Sequence, residues 1–354
     1  MAGRLRQVRQ RPGLHGFLIP VGAWQFSLRR CATISRKGGR LSTAVNAAPV
    51  VSVTKPRRAR ITPAKRRQYG AAYALVLPFF IIFVAMVIVP LVYAGYLSLY
   101  RKRLIGGTSF AGAENYIRAL TDPLFLSGVG RMAIFLVLQV PFMIAFALFF
   151  ALALDSGMMR LARFSRLAIF VPYAVPGVVA TLMWGYLYGP DFGPFAQISN
   201  ALGLGAPPFL TQTGMLFSIM NIVNWSFIGY NMIIIYAALR SLPSELYEAA
   251  RVDGASEPRI AWSIKIPAVR PALLLTVIFS VIGTFQLFTE PKLMFTLAPN
   301  VIGTAWSPNL YAYNVAFVNQ DANYAAALAF LLGIVIMIVS YIVQLSTQRK
   351  ERGS

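Results

Sequence analysis

The sequence predicts an all-α integral membrane protein with six transmembrane helices, and three observations carry that prediction. Of the 354 residues, 57% are hydrophobic and only 12% are charged, whereas about a quarter of the residues in soluble domains are charged. The mean hydropathy is +0.62, so the chain holds more apolar surface than a water-soluble core would cover. Uncharged stretches of about 20 residues, the length that crosses a bilayer as a helix, recur along the chain.

The predicted spans lie in a membrane domain at residues 68–348, followed by a short cytoplasmic C-terminus at 349–354. Their approximate bounds are 71–99, 132–154, 167–189, 213–239, 271–289 and 323–345. The prolines in the interiors of these spans include Pro78, Pro141, Pro172 and Pro176. We expect them to kink the helices without ending them, because neighbouring helices can satisfy the carbonyl groups that a proline frees.

Residues 293–320 also lack charge, but prolines and asparagines interrupt them. A lipid-facing span with these interruptions would leave backbone polar groups without hydrogen-bond partners. We therefore predict a folded external loop at 293–320 rather than a seventh span.

Residues 1–67 form a basic N-terminal segment. The first 70 residues hold 16 of the 33 basic residues, and no Asp or Glu precedes Glu114. This composition predicts disorder, because like charges repel and little apolar surface is available. An organellar transit peptide has a similar composition, and a translation start downstream of Met1 is a third interpretation that stays open. Since the charge is local, it does not indicate nucleic-acid binding by the whole chain.

The distribution of Lys and Arg predicts that both termini are cytoplasmic. With six spans and the N-terminal segment inside, the inner segments carry 27 basic residues and the outer loops carry 5. Short cytoplasmic loops of membrane proteins are enriched in basic residues. The same orientation places the segment 240–267 on the cytoplasmic side.

The predicted spans exclude several classes of function. The only histidine, His15, and the only cysteine, Cys31, lie in the N-terminal segment. The membrane domain therefore cannot build the usual zinc, haem or cysteine-nucleophile sites, and we predict no catalytic or metal site. The interiors of the spans hold no Asp, Glu, Lys, Arg or His, which argues against a proton relay. Energy for transport would come from another subunit, or the protein is a passive pore.

The longest predicted inner loop, 240–267, has the pattern of two short helices. Pro243 suits a first helical turn, and Gly254 can end that helix because glycine adopts the left-handed conformation readily. Ser256 is expected to cap a second helix with Pro258 in its opening turn. The sequence thus predicts a compact helix–turn–helix on the cytoplasmic face.

This loop resembles the EAA motif of binding-protein-dependent ABC importer permeases. The residues that match the motif, or its carbohydrate-uptake variant, are Glu248, Ala249, Ala250, Asp253, Gly254, Ile264 and Pro267. The segment Phe110-Ala-Gly-Ala-Glu-Asn-Tyr is similar to an external-loop signature of the first permease in maltose and glycerol-3-phosphate type importers. Ile266 departs from the Leu of the family, and Gly130-Arg131 departs from a common Asn-Thr pair.

The resemblance implies a six-helix type I ABC importer permease whose residues 240–267 form a coupling helix against a separate ATPase. The implied partners are a second permease in a heterodimer, two ATPase subunits, an extracytoplasmic solute-binding protein, a sugar substrate and membrane lipid. ATP would be used by the partner subunit and no cofactor bound by this chain, in which no Gly-Lys-Ser/Thr phosphate loop occurs. The implied location is the bacterial plasma membrane.

Candidate substrate contacts lie mainly on the fourth predicted span. Asn221, Asn224, Trp225 and Asn231 fall within about 120° of one another on an ideal helix, and Gln286 of the fifth span could join them. Amides can hydrogen-bond sugar hydroxyls, and an indole can stack on a sugar ring. The alternative is that these side chains hydrogen-bond between helices, as polar groups in membranes commonly do.

Two other classes of function stay open at this point. A stand-alone facilitator or channel would need no ATPase, and conduction by the purified chain alone would distinguish it. An integral-membrane enzyme is disfavoured, because no catalytic constellation occurs among the predicted spans.

Overall fold

The computed structural model describes residues 63–103, 107–159 and 161–352. The predicted disorder of the basic N-terminal segment therefore falls outside the described residues as far as residue 62. The first helix begins at Pro63, so the last five residues assigned to that segment belong to the helical body instead.

The described chain is mostly helical. Its helices are α1 (Pro63–Phe83), α2 (Val89–Ser98), α3 (Glu114–Thr121), α4 (Pro123–Asp155), α5 (Ala162–Ala174), α6 (Gly177–Leu187), α7 (Pro194–Ala201), α8 (Met215–Arg240), α9 (Ser244–Val252), α10 (Glu257–Ile260), α11 (Ile266–Ala268), α12 (Arg270–Phe285), α13 (Thr289–Leu297), α14 (Pro308–Tyr313) and α15 (Ala322–Arg352). Three π-helical segments continue α1, α10 and α14, at Val84–Ile88, Ala261–Lys265 and Asn314–Val318.

A short antiparallel hairpin was not predicted. It pairs β1 (Tyr100–Arg103) with β2 (Gly107–Phe110), with Tyr100 opposite Phe110. The amide side chain of Asn115 fastens the hairpin to the end of α2, because it donates to the carbonyls of Ser98 and Tyr100 at 2.8 Å each. The all-α prediction is confirmed, and this hairpin is a small addition to it among the described residues.

The described residues contain four helices long and apolar enough to cross a membrane, at Ala72–Ser98, Pro123–Asp155, Met215–Arg240 and Ala322–Ser346. Two further helix pairs pass the same test but are sharply bent, by 95° between α5 and α6 and by 66° between Glu257–Ala268 and α12. The predicted number of six is reached when each bent pair counts as one span.

The prediction of a single kinked helix at 167–189 was wrong. Helix α5 ends at Ala174, Val175 is extended with ψ 127°, and Pro176 stands at the N-cap of α6. The physical reason is that a proline disfavours helical geometry in the residue before it. Pro78, Pro141 and Pro172 do lie inside helices, as predicted.

Two predicted helix bounds also differ. Helix α4 begins at Pro123 rather than near 132, because Asp122 caps it by accepting the amides of Leu124 and Phe125. Helix α12 ends at Phe285 rather than 289, and the chain turns into α13 at Thr289.

The core is built around the parallel pair α4 and α8, since Gln139 contacts Asn224 and Met143 contacts Asn231 further along both helices. Its larger cluster joins these helices to α12 and α15, through buried residues that include Phe135, Ile222, Phe285 and Leu328. A second cluster joins the end of α4 to the end of α8 at Leu154 and Leu239. The two clusters place a packed wall along both helices.

Helix α5 contacts α8 backbone to backbone at Gly229. A Cβ added to Gly229 would lie 2.0 Å from the carbonyl oxygen of Ile169. Only glycine therefore permits the backbones of α5 and α8 to touch here.

Residues 293–320 fold against the core rather than forming a span. They contain the end of α13, α14 and its π-helical continuation, and they bury Ile302, Trp306 and Leu310. The amide of Asn314 donates to the carbonyls of Thr304 and Leu310, which satisfies part of this irregular backbone. The helix α1, by contrast, is exposed along its whole described apolar surface.

Candidate functional site

The segment 240–267 forms the predicted helix–turn–helix. Pro243 is extended at the N-cap of α9, with φ −62° and ψ 134°, so it precedes the first turn instead of lying in it. Glu245 occupies that first turn, where a negative charge faces the positive end of the helix dipole. The helix then runs to Val252.

Gly254 ends α9 in the predicted left-handed conformation, with φ +81°. The amide of Ala255 donates to the carbonyl of Ala250 at 2.9 Å, and the amide of Gly254 donates to the carbonyl of Arg251 at 3.0 Å. This pair of bonds is a Schellman motif. Because no atom of the described residues lies within 4 Å of a Cβ built at Gly254, the requirement for glycine here is conformational rather than steric.

The second short helix, α10, begins after Ser256 and has Pro258 in its first turn. The Ser256 side chain makes no capping hydrogen bond, so the predicted cap was wrong. The turn is held instead by Arg251, whose Nε and Nη2 donate to Glu257 Oε1 at 3.0 and 2.7 Å.

The residues that match the EAA motif divide into a surface and a base. Glu248, Ala249, Asp253 and Gly254 are exposed, while Ala250, Ile264 and Pro267 are half-buried. Large apolar side chains stand beside the exposed group, with Val252 88% and Trp262 76% exposed. An exposed apolar surface rimmed by charge is typical of a protein-binding site.

A buried ion pair anchors this helix–turn–helix to the body. Lys265 Nζ lies 2.8 Å from Asp155 Oδ2, and the side chains are only 3% and 4% exposed. Sequence reasoning missed the pair, because Asp155 was taken as a loop residue. The available signal was Lys265 itself, a lone cation within the apolar run Ile264–Pro267.

A central cavity of about 320 Å³ lies between α4, α8 and α12. Its lining includes the residues that join α12 to α13. Irregular backbone in a membrane protein is tolerated where it lines a cavity. The polar and aromatic groups lining it include Phe135, Gln139, Tyr230, Asn231, Gln286 and Glu290.

The structure brings two of the five candidate substrate contacts to the central cavity, Asn231 and Gln286. Asn224 is buried and accepts a hydrogen bond from Gln139 Nε2 at 3.0 Å, so it joins α8 to α4. Gln139 was not among the candidates, although it is a polar residue inside a predicted span.

Asn221 lies in a separate aromatic cleft of about 360 Å³ that is lined by Trp184, Tyr188, Phe195, Phe209 and Phe217. Its Nδ2 donates to the hydroxyl of Tyr188 at 2.7 Å. Trp225 meets Trp184 edge to face, with 5.9 Å between ring centroids. The candidate residues of α8 therefore lie in three different environments rather than on one shared surface.

Glu290 is the acidic group at the central cavity. Burial raises the pKa of its carboxyl above the usual value, since a charged form is disfavoured away from water. Among the described residues, no group of three or more His, Cys, Asp or Glu side chains could hold a metal ion.

The family described as binding-protein-dependent transport system inner membrane component matches residues 125–352. The chain belongs to this family. This inner membrane component is 32% identical to the lactose transport system permease protein LacF of Rhizobium radiobacter over 254 residues, which cover 70% of the chain and 83% of LacF. It is 27% identical to the arabinooligosaccharides transport system permease protein AraP of Halalkalibacterium halodurans, covering 82% of the chain and 92% of AraP.

The fold of this inner membrane component is that of a solved ABC importer. It matches a chain of a bacterial ABC transporter that imports the acidic polysaccharide alginate, with a TM-score of 0.70 and 17% identity. The match covers 81% of this chain and 98% of the other. The protein is thus a multi-pass permease subunit of a binding-protein-dependent transport system, with the type I ABC importer fold.

Proposed function

We propose that this permease imports a neutral sugar and that the segment 240–267 couples it to a separate ATPase subunit. The observation that carries the proposal is the exposed surface of α9 and its glycine turn, standing on a base buried against α4. The partner set follows from the same proposal: a second permease in a heterodimer, two ATPase subunits that use the ATP, and an extracytoplasmic solute-binding protein. Lipid surrounds the spans.

The chemistry of α9 supports an ATPase as its partner. Glu248 and Asp253 offer charge, and Ala249 between them leaves room for close approach. No phosphate-loop sequence occurs in the chain, so the energy of ATP would have to enter through contact with another protein. Protein contacts of this kind concentrate their free energy in a few residues.

Two substitutions test the coupling proposal in a reconstituted complex. Gly254→Asp would strain the left-handed turn, and Glu248→Lys would reverse charge on the exposed surface. Each is expected to lower ATP-driven uptake at least about tenfold, which corresponds to about 1.4 kcal/mol, while the chain stays in the membrane. Asp191→Lys, a charge reversal at an exposed loop residue between α6 and α7, is the matched control. Wild-type uptake in both test variants would contradict the proposal.

The substrate proposal rests on the central cavity. Gln286 there offers an amide donor and acceptor, and Asn231 offers its amide oxygen, since its Nδ2 donates to Phe227 O and Met143 Sδ. Phe135 and Tyr230 offer aromatic faces. Among the described residues, those that line the cavity include one acidic side chain and no basic one, which suits a ligand without charge. LacF and AraP are named for lactose and arabinooligosaccharides, and their likeness to this chain supports the sugar class.

Uptake kinetics test the two amides. Asn231→Ala and Gln286→Ala are each expected to raise the KM of sugar uptake about fivefold, since one lost hydrogen bond is worth about 1 kcal/mol. Asn200→Ala, at an exposed amide on α7, is the control and should leave KM within about twofold. An unchanged KM in both cavity variants would mean that these amides only bond between helices.

The alternative, a stand-alone facilitator, is tested in the same system. Liposomes that contain the purified chain alone should not take up sugar, and uptake without partners or ATP would favour the facilitator. We propose that both termini are cytoplasmic, in a bacterial plasma membrane. Fluorescent-protein and alkaline-phosphatase fusions at the C-terminus would report that orientation, because each is active on one side only.

A further inference from the structure

The ion pair between Asp155 and Lys265 lies between two parts of the molecule that the proposed function must connect. Asp155 is the last residue of α4, and α4 lines the central cavity with Phe135 and Gln139. Lys265 belongs to the π-helical segment that follows α10. This segment is part of residues 240–267, called the coupling loop below. The pair therefore bridges the coupling loop and a wall of the cavity.

Both short helices of the coupling loop contact this pair. From α9, the Tyr247 ring lies 4.9 Å from Lys265 Nζ, a distance at which a cation is attracted to an aromatic face. From α10, Glu257 Oε2 lies 3.9 Å from the same nitrogen. Arg251 of α9 holds that carboxylate through its other oxygen, so Lys265 is the centre to which both short helices connect.

Tyr247 depends on the pair for its surroundings. Its hydroxyl is buried and makes no hydrogen bond to any described residue. Burial, assisted by the negative charge of Asp155, raises the pKa of this phenol. The ring is thus held by packing and by the lysine charge, rather than by a hydrogen bond of its own.

A buried pair of this kind is costly to separate. Pulling Lys265 away from Asp155 would leave two uncompensated charges in a dry setting, so the two groups are expected to move together. An exposed pair would not act in this way, because water compensates each charge.

We propose that Lys265 is a positioning residue that ties the coupling loop to α4, so that displacement of α9 by an ATPase is passed to the cavity wall. This inference rests on the proposed function. It adds that the displacement of α9 is transmitted to the cavity wall through one ion pair at the end of α4. The loop's continuous connection to α12 would not by itself move α4.

The experiment compares three variants with the wild type, each as the full complex in proteoliposomes. It measures the sugar taken up per ATP hydrolysed. Lys265→Met removes the charge and keeps the length of the side chain. The double variant Asp155→Asn with Lys265→Met removes both charges, so that neither is left buried alone and folding is preserved. Lys292→Met is the matched control, because Lys292 also stands 4.9 Å from a tyrosine ring, that of Tyr313.

The double variant is expected to assemble with its partners and to hydrolyse ATP, while sugar per ATP falls at least about fivefold, the lower end of typical coupling between sites. Its KM for sugar should stay at the wild-type value, because the cavity itself is untouched. The control should couple as wild type does. A purely structural pair would leave sugar per ATP unchanged in the folded double variant. That result would overturn the positioning role of Lys265 and leave the proposed function standing. Absence of ATP-driven uptake in the wild-type complex would overturn both the proposed function and the positioning role of Lys265.

Discussion

The two ends of α4 each carry an aspartate, and the two are stabilised in opposite ways. Asp122, before the first turn, accepts two backbone amides and the hydroxyls of Tyr311 and Tyr324. Asp155, in the last turn, meets the cation of Lys265. The positive end of the helix dipole favours a carboxylate at the first position, while the negative end disfavours one at the second. Neutral donors suffice at the first end, and the second requires an opposite charge.

The largest effect is expected at the charged end. Lys265→Met alone leaves Asp155 buried without its cation and should lower the free energy of unfolding by about 3–5 kcal/mol. Thermal unfolding in detergent would measure it. The double variant with Asp155→Asn should recover most of the loss, and a single variant as stable as wild type would contradict the comparison.

A smaller loss is expected at the neutral end. Asp122→Ala removes the N-cap of α4, worth about 1 kcal/mol, and leaves two tyrosine hydroxyls without their acceptor. We expect a total loss of about 2 kcal/mol in the same unfolding measurement. Asp122→Asn, which keeps an acceptor oxygen, should lose less than the alanine variant.

Acid titration distinguishes the two ends further. Burial opposes the charge of Asp122, but the four donors outweigh it and lower its pKa below the ordinary value of 3.8. The folded state therefore holds this proton less tightly than the unfolded state, so stability is present above about pH 4 and is lost as pH falls below it. Unfolding midpoints of wild type should fall over this range, and those of Asp122→Asn should fall less.

The smallest effect is expected at the exposed pair of the coupling loop. The side chains of Arg251 and Glu257 are 52% and 44% exposed, and such pairs contribute about 0.2–1 kcal/mol. Arg251→Ala should therefore change the unfolding free energy by less than about 1 kcal/mol. A loss as large as that of Lys265→Met would mean that exposure does not separate the two pairs.

The sequence predicted those features that depend on neighbours along the chain. Hydrophobic length located the spans, and the run from Pro243 to Gly254 located α9 and its left-handed turn. A second proline four residues after Pro172 is a local signal for the break at Pro176. The uncharged run 167–189 instead favoured one continuous helix. The conformational preference of Val175 before that proline decided the outcome.

What the sequence could not supply is the rotation of one helix against another. Asn221, Asn224 and Asn231 share one arc of an ideal helix, yet Asn221 contacts Tyr188 at the end of α6, whereas Asn224 and Asn231 contact Gln139 and Met143 of α4. Asp155 and Lys265 are far apart in the chain, and although Lys265 stands out as a lone cation among apolar residues, the sequence does not indicate its partner. Only packing reveals that they meet.

The exposure of the first helix has a practical consequence. In the segment Ala72–Ser98, the most apolar eighteen residues include none that is buried by the rest of the described chain. A surface of this size in water would drive aggregation. Any purified sample must therefore carry a substitute for the acyl chains along this helix, so the choice of detergent or nanodisc scaffold sets whether the polypeptide stays monodisperse.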